Sequence, residues 1–275
     1  MSLFAWDLCT APKFVGLKNF AFLLGDKYFW QAMGNTIYFT TLSVPLGIFA
    51  SLFFAILLNQ KIKGRVLFRS IYFLPVISSM IAVALIWRWL YNTDVGLINS
   101  VLVLVGNVFI SIINAIGKLF NANTISPIIR GPDWLGSPRL AIPAVVLMSV
   151  WKSLGYNMLI YLAGLQGIPG HLYEAAEIDG ANRWEQFLHV TWPSLTATTF
   201  FVMIMSLIGS FQVFGEVYIM TQGGPGGATT TLVYLIYKHA FKFSDMGYAT
   251  AIATVLFAMI LSVTLFQWKF FKQDV

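Results

Sequence analysis

Few residues in this chain could carry covalent chemistry. His171, His189 and His239 fall in separate segments, without a metal-ligand spacing such as His-Glu-x-x-His. The single cysteine, Cys9, cannot close an internal disulfide. Residues 223–227 read Gly-Gly-Pro-Gly-Gly, but the Lys-Ser/Thr that a nucleotide loop requires does not follow. No nucleophile motif is present, so an enzyme is not expected, and neither is a metal or a cofactor. What remains is a set of polar and aromatic residues inside otherwise apolar runs. Trp151, Lys152, Tyr156 and Asn157 lie in one run, Gln212 and Glu216 in the next. Charges at membrane depth are costly and face a cavity or a partner. A spacing of four puts Gln212 and Glu216 on one helix face, with Ser206, Gly209 and Ser210 a turn or two earlier. Aromatic rings beside amide and carboxylate groups suit a carbohydrate: the ring stacks on C–H surface and the polar groups read hydroxyls. The plainer alternative is interhelical hydrogen bonding that holds a bundle together. Arg88, one turn from the end of its run between Trp87 and Trp89, fits a snorkelling side chain.

The elements that must position these residues are membrane helices. Hydrophobic residues make up 58% of the chain and charged residues 10%, against roughly a quarter charged in soluble domains. The apolar runs do not alternate as barrel strands do. The expected fold class is all-α, a polytopic helical membrane protein. Five spans are expected, over residues 31–58, 68–91, 140–165, 194–220 and 246–271, with Trp and Tyr near their ends as interface anchors. Pro45, Pro75 and Pro143 lie inside or near span starts, where neighbouring helices can satisfy the freed carbonyls. The basic residues sit at span ends and form no single patch, which argues against nucleic acid.

Orientation follows from the same charges. Lys61, Lys63, Arg65 and Arg69 form the densest basic cluster, which the positive-inside rule puts in the cytoplasm. Alternation then places residues 92–139 outside, 166–193 inside, 221–245 outside, and the tail with Lys269 and Lys272 inside. An odd number of spans leaves the N-terminal residues outside. No cleavable signal begins the chain, so the expectation is a further transmembrane helix upstream of the sequence. Residues 101–120 are apolar enough to consider as a sixth span. Crossing there would put the two basic clusters on opposite sides. Ser100, Asn107, Ser111, Asn114, Lys118 and Asn121 also recur at helical spacings as one polar stripe. The expectation for residues 100–121 is an amphipathic helix in the outer interface.

The longest charged stretch between spans, residues 166–193, has its own local logic. Tyr173 to Ile178 holds good helix formers. Ala175 and Ala176 are small enough for another backbone to approach. Asp179-Gly180 ends the turn, with Gly180 suited to a left-handed cap. Trp184-Glu185-Gln186-Phe187 begins a second helical stretch, and Pro193 sets the start of the next span. A loop of this kind can lie on headgroups or dock as a lever on a soluble motor.

Glu174-Ala175-Ala176, three residues, Gly180, nine residues, then Val190-x-Trp192-Pro193 resembles the EAA loop of permease subunits in binding-protein-dependent ATP-binding-cassette importers. The usual ending is Ile-x-Leu-Pro, so Val190 and Trp192 depart from it. Phe73-Leu74-Pro75, Trp87-Arg88-Trp89-Leu90-Tyr91, Asp133-Trp134-Leu135, Ala163-Gly164-Leu165-Gln166 and the 223–227 glycines are similar to the sugar-permease branch, the maltose and glycerol-phosphate type. The likeness runs from about Trp6 to the end. Residues 99–130 exceed the family's usual connection, and the first of its six core helices has no counterpart. The resemblance implies a type I importer permease fold in a bacterial or archaeal cytoplasmic membrane. It implies ATPase coupling through Glu174, Ala175, Ala176, Asp179, Gly180 and Pro193. Its implied partners are a second homologous permease, a dimer of ATP-binding subunits, an extracytoplasmic solute-binding protein and the lipid bilayer, with a carbohydrate as cargo. The 221–227 loop reads as a flexible turn facing the binding protein. A secondary transporter or channel is the alternative, with Glu216 as its sole ion-coupling candidate.

Overall fold

The computed structural model describes residues 1–60, 63–119, 125–128 and 130–271, the side chains of 117–119, 270 and 271 excepted. Lys61, Asn121 and Lys272, and the side chain of Lys118, lie outside the described residues. A two-stranded hairpin, β1 (Phe4–Ala5) and β2 (Lys13–Phe14), precedes α1 (Lys18–Gly25) and α2 (Lys27–Asn59). Then come α3 (Arg65–Ile77), α4 (Met80–Leu90), α5 (Leu97–Leu119), α6 (Ala141–Gln166) and α7 (Gly170–Ile178). Helix α8 (Arg183–Gln186) runs through a π-helical turn, Phe187–Thr191, into α9 (Trp192–Ser194). Helices α10 (Thr196–Phe211), α11 (Gly215–Met220), α12 (Leu232–Tyr237) and α13 (Met246–Phe271) complete the chain, a π turn over Lys238–Lys242 extending α12.

Among the described residues, four helices are long and apolar enough to cross a membrane, α2, α5, α6 and α13, or up to six spans if each of two bent pairs counts as one. The expected spans 31–58, 140–165 and 246–271 appear as single helices, α2, α6 and α13. The other two do not. Residues 68–91 form α3 and α4, bent by 100° at Ser78-Ser79. With 13 residues, α3 is only about 20 Å long, too short for a hydrocarbon core of about 30 Å. Residues 194–220 break at 212–214, between α10 and α11. Leu195 marks a further bend of 64° between the α8–α9 run and α10.

Helices α2 and α6 pack along each other more extensively than any other pair among the described elements, with α3 against α6 and α10 against α2. Two buried clusters fill this bundle. Val44, Ile48, Leu52, Met158, Tyr161, Leu195 and Val202 pack near one end. Phe39, Val83, Val145, Met148, Val213 and Tyr234 pack near the other. A third, around Phe29, Phe211, Leu232, Tyr248 and Ile252, joins α13 and the N-terminal residues to the bundle. The two ends differ in what they carry. Asn59 and Gln60, where the basic connection begins, share a cleft with Tyr173, Arg183 and Gln186. The N-terminal residues share the opposite end with the 221–245 segment and the start of α13: Phe22 and Asp26 line a cleft with Gly226, Lys238 and Phe243, Met246 N–H donates to Trp6 O (3.0 Å), and Tyr248 Oη donates to Asp26 (2.6 Å). The basic and acidic loops therefore sit at one end of the bundle and the N-terminal residues at the other, as the charge alternation requires.

Helix α5 explains its own polar stripe. Asn107 Nδ2 donates to the Ile128 carbonyl (3.1 Å), and its Oδ1 accepts from Ile128 N–H (2.7 Å). Asn114 treats Ile125 in the same way (2.9 and 2.8 Å). Asn99 Nδ2 donates to Pro132 O (3.1 Å) while its Oδ1 accepts from Trp134 Nε1 (2.8 Å). Ser100 and Ser111 bond back to their own helix, at Gly96 O and Asn107 O. Seven to eight helical residues rise about 11 Å, and three to four extended residues span about the same. The asparagine spacing therefore matches the register of a returning extended segment. Asn107 and Asn114 of the stripe read as facing headgroups face the chain itself.

The loop over 221–231 is also tied down, against the expectation of a flexible turn. Asn35 Nδ2 donates to Gly227 O (2.9 Å) and Thr230 O (3.0 Å). Thr229 Oγ1 donates to Gly224 O (2.7 Å), and Tyr234 Oη to Gln222 O (2.8 Å). Thr229, Thr230 and Thr231 are buried.

The α3–α6 crossing depends on Gly155. A β-carbon there would collide with the Tyr72 carbonyl and the Phe73 backbone, whereas one at Gly34 would meet nothing within 4 Å. Overpacking of this kind costs about 1–3 kcal/mol. We expect Gly155→Val to lower the melting temperature of the detergent-purified protein by several degrees and Gly34→Ala to leave it unchanged. Equal melting temperatures for the two variants would contradict the crossing described.

Candidate functional site

The first candidate region is the loop at the basic end. Helix α7 has no buried residue. It closes in a complete Schellman cap: Ala181 N–H donates to Ala176 O (2.9 Å), and Gly180 N–H to Glu177 O (3.0 Å). Gly180 takes the left-handed φ of +79° that the motif needs. A β-carbon on Gly180 would meet nothing within 4 Å, so its requirement inside the chain is conformational and not steric. The second stretch opens with a capping box: Asn182 Oδ1 accepts from Trp184 and Glu185 N–H (3.0 and 3.1 Å), and Glu185 accepts from Asn182 N–H (2.7 Å). Tyr173 and Thr191 hydroxyls pair at 2.9 Å and hold α7 to the π turn. Pro193 stands in the first turn of α9, two residues before the 64° bend.

Glu174, Ala175, Asp179 and Gly180 are exposed and Ala176 is half-buried. Around them Ile178 is 86% exposed and Trp184 66%. Trp184 stacks on Phe187 (centroids 5.5 Å), which approaches Trp192 at 6.4 Å. Together they form an exposed apolar patch, of the kind that marks a protein or membrane contact surface. The motif positions account for the backbone and small residues of this loop, and Trp184 and Phe187, expected only as a helical stretch, add an aromatic surface beside them. Trp192, where the motif departs from Leu, was its available signal.

The second region is a cavity of about 280 Å³ between α2, α6 and α10, closed at one side by α11. Its walls carry Ser43 from α2; Ser149, Ser153, Tyr156 and Asn157 from α6; Ser206 and Ser210 from α10; and Glu216 from α11. The α6 positions fall at i, i+4, i+7 and i+8, one helix face. Asn157 is 5% exposed and donates through Nδ2 to Ser206 Oγ (3.3 Å). Ser149 Oγ donates to Glu216 Oε1 (3.4 Å). Among the six residues expected in a pathway, the structure brings together Tyr156, Asn157 and Glu216. The serines were not singled out as a group, because serine inside an apolar run is common in membrane helices.

The other three do not line it. Gln212 does not share a face with Glu216, because the helix stops at Phe211 and restarts at Gly215. A spacing of four has no facial meaning across that break, and Gln212 lines a separate cleft with Leu256, Phe257 and Ile260 of α13. Trp151 is a ring neighbour of Trp87 (5.6 Å). Lys152 points at the broken span: its Nζ donates to Pro75 O (3.0 Å), Val76 O (3.5 Å) and Ser78 O (3.0 Å). These are the carbonyls a helix end leaves without partners, and a cation is favoured at that negative pole. Arg88 has a comparable contact and does not merely snorkel, since its Nη1 donates to Ile219 O (3.4 Å) near the end of α11. Among the described residues, no group of three or more His, Cys, Asp or Glu could hold a metal ion.

Comparison with known proteins agrees with this geometry. Residues 29–271 match the family of binding-protein-dependent transport system inner membrane components. A probable ABC transporter permease protein of Bacillus subtilis is 38% identical over 275 residues, covering 99% of this chain and 87% of that protein. The trehalose/maltose transport system permease protein of Thermococcus litoralis is 36% identical over 98% of this chain and 84% of its own length. A bacterial alginate ABC transporter, solved in complex with an alginate pentasaccharide-bound periplasmic protein, superimposes with a TM-score of 0.72 at 22% identity, over 92% of this chain and 81% of the matched one, which shows the fold. The chain thus belongs to the binding-protein-dependent transport system inner membrane component family and is a membrane-embedded permease subunit of an ATP-binding-cassette importer.

Proposed function

We propose that this permease carries a carbohydrate through the cavity between α2, α6, α10 and α11, driven by a separate ATPase that docks on α7. The observation that carries the reading is the cavity wall. Five serines, one tyrosine, one asparagine and one glutamate line a space otherwise enclosed by apolar helices. Hydroxyls both donate and accept, which matches a polyol, and Tyr156 offers an aromatic face. The volume is at the small end of ligand sites. The maltose/trehalose permease among the relatives and the alginate transporter among the structures support a sugar as cargo.

In this reading Glu174, Ala175, Ala176, Asp179, Gly180 and Pro193 form the coupling surface, with Ile178 and Trp184 adding apolar contact. A second permease subunit, two ATP-binding subunits and an extracytoplasmic binding protein complete the assembly. ATP binding closes the motor dimer, α7 moves with it, and the cavity opens outward to receive the sugar; a state that ATP binds more tightly is the one it populates. Tyr156, Asn157 and Glu216 are the pathway residues we retain. We assign Lys152 to the helix break, Trp151 to aromatic packing, and Gln212 to the α13 cleft.

Two experiments test this reading on the reconstituted transporter with its ATPase and binding protein, using a panel of maltose, trehalose and alginate oligosaccharides. Losing a hydrogen bond to a sugar costs about 1–1.5 kcal/mol, roughly a tenfold loss of affinity. Asn157→Ala and Glu216→Gln should each weaken sugar stimulation of ATPase activity about tenfold, and Gln212→Ala should leave it unchanged. Unaltered stimulation in the first two would remove the cavity from the pathway. For coupling, Gly180→Val should assemble at normal levels yet cut uptake more than tenfold. Gly180→Asn, which tolerates the left-handed conformation, separates cap strain from docking: uptake should stay low there too. Normal uptake in Gly180→Val would contradict the docking role.

A further inference from the structure

Residues 97–132 are unlike the rest of the permease, and neither the transport cavity nor the coupling loop uses them. Helix α5 has no charged residue along 95–117. Within Leu97–Ile116, an 18-residue window has a mean hydropathy of 2.0, and only 6% of that window is buried in the protein. Val101, Val105, Val108, Ile112 and Ile116 form an exposed stripe at helical spacing, flanked by Leu104, Phe109 and Ile113. An amphipathic helix lying in headgroups would turn its polar face to water. Here Asn107 and Asn114 of that face are half-buried and spent on the chain's own backbone, while Ser100 and Ser111, exposed, bond back to Gly96 O and Asn107 O. Asn107 and Asn114 supply both a donor and an acceptor to the backbone of Ile128 and Ile125, as a neighbouring β-strand would. The covering residues are themselves apolar and exposed, Ile125 and Ile128. Pro127 and Pro132 bring no N–H to satisfy. Apart from Ser100, Ser111 and Ser126, and Arg130 at its base, the described part of the unit exposes apolar side chains on both sides, and a helix apolar all round belongs inside a protein core or a bilayer.

We propose that α5 and its returning segment form a lipid-immersed hairpin that enters and leaves the bilayer on the same side, with the asparagines as its internal backbone partners. Non-helical backbone is excluded from lipid unless other groups satisfy it; Asn107 and Asn114 satisfy both backbone groups of Ile128 and Ile125, and Asn99 the Pro132 carbonyl. The 20-residue stretch is about 30 Å long, the thickness of the hydrocarbon core. Both ends of the hairpin meet at Asn99, which joins Pro132 and Trp134 to the start of α5. The flanking residues 92 and 139 therefore stay on one side, and α7 keeps its orientation. The occupant of the apolar face is phospholipid acyl chain. The α5 face, free of charge over this length, offers no complementarity to a polar protein surface, and the charge of the return segment, Arg130, lies at its base, two residues before the Pro132 that Asn99 holds.

The test uses nitroxide labels on single cysteines in a Cys9→Ser background, in the complete transporter reconstituted in phosphatidylcholine and phosphatidylglycerol vesicles. Labels on Val101→Cys, Val108→Cys and Ile112→Cys should collide with oxygen far more than with a nickel chelate. Their depth should change by about 10 Å between positions 101 and 108, the helical rise over seven residues. Strong nickel collisions at all three would place α5 in water and overturn the proposal. Protection from both colliders would overturn it in favour of a protein partner, and equal depths would mean a helix flat in the interface. A label on Ser126→Cys reads the ladder: it should be oxygen-accessible with Asn107 and Asn114 present and turn nickel-accessible in Asn107→Leu/Asn114→Leu. No change in that variant would refute the ladder's role.

Discussion

A helix that stops among other helices leaves its last carbonyls without partners, and α3 stops there. Lys152 of α6 reaches across to three carbonyls around the break, at Pro75, Val76 and Ser78. Leaving a buried polar group unmade costs about 1–3 kcal/mol, so without Lys152 a 100° bend at this depth would be strongly disfavoured. Much of the bundle follows from that bend. It sends α4 away from the path of α3 and onto α11, whose end receives Arg88 from α4. It also lets α3 lie close on α6, where Gly155 admits the Tyr72 carbonyl. Ordinary spans keep their backbone bonds internal. A permease with broken spans must find cations or hydroxyls for them, and the Ser78 hydroxyl, bonded to Leu74 O at 2.9 Å, adds one more.

The same helix that carries Lys152 links the two functional regions. Ser149, Ser153, Tyr156 and Asn157 of α6 wall the cavity, and α6 ends at Gln166, four residues before α7 begins. On the other side of the loop, α10 starts two residues after Ser194 of α9 and walls the cavity from Met205 to Ser210. The Tyr173–Thr191 bond closes the loop into one unit between them. In the proposed coupling, a displacement of α7 would act on two cavity walls at once, through α6 on one side of the loop and α10 on the other.

Local chemistry was legible in the sequence where it depends on neighbours in the chain. Gly180 announced the left-handed cap, Trp184–Phe187 the second helical stretch, and the basic and acidic loops their common end of the bundle. What was not legible depends on contacts distant in sequence. Ser78-Ser79 carries no glycine or proline to mark a 100° bend. Gln212 and Glu216 looked like one face because periodicity assumes an unbroken helix. Lys152 looked like a substrate ligand because its partners are backbone carbonyls more than seventy residues away. Asn107 and Asn114 read as a water-facing stripe because nothing in their spacing tells a headgroup from the backbone of Ile125 and Ile128. The glycines at 223–227 suggested slack, but the side chains that fix that loop, Asn35 and Tyr234, lie outside it.

The central claim is that α7 is the surface through which ATP-driven motion enters, on the cytoplasmic side. The most direct measurement is a crosslink from a single cysteine at Ala175→Cys, in the Cys9→Ser background, within native membranes that hold the assembled transporter. We expect the ATP-binding subunit to be captured at high yield, the yield to change when ATP is added, and an impermeant thiol reagent to reach the cysteine only from the cytoplasmic face. Labelling from the outside, or failure to capture the ATP-binding subunit in an assembled complex, would contradict the claim.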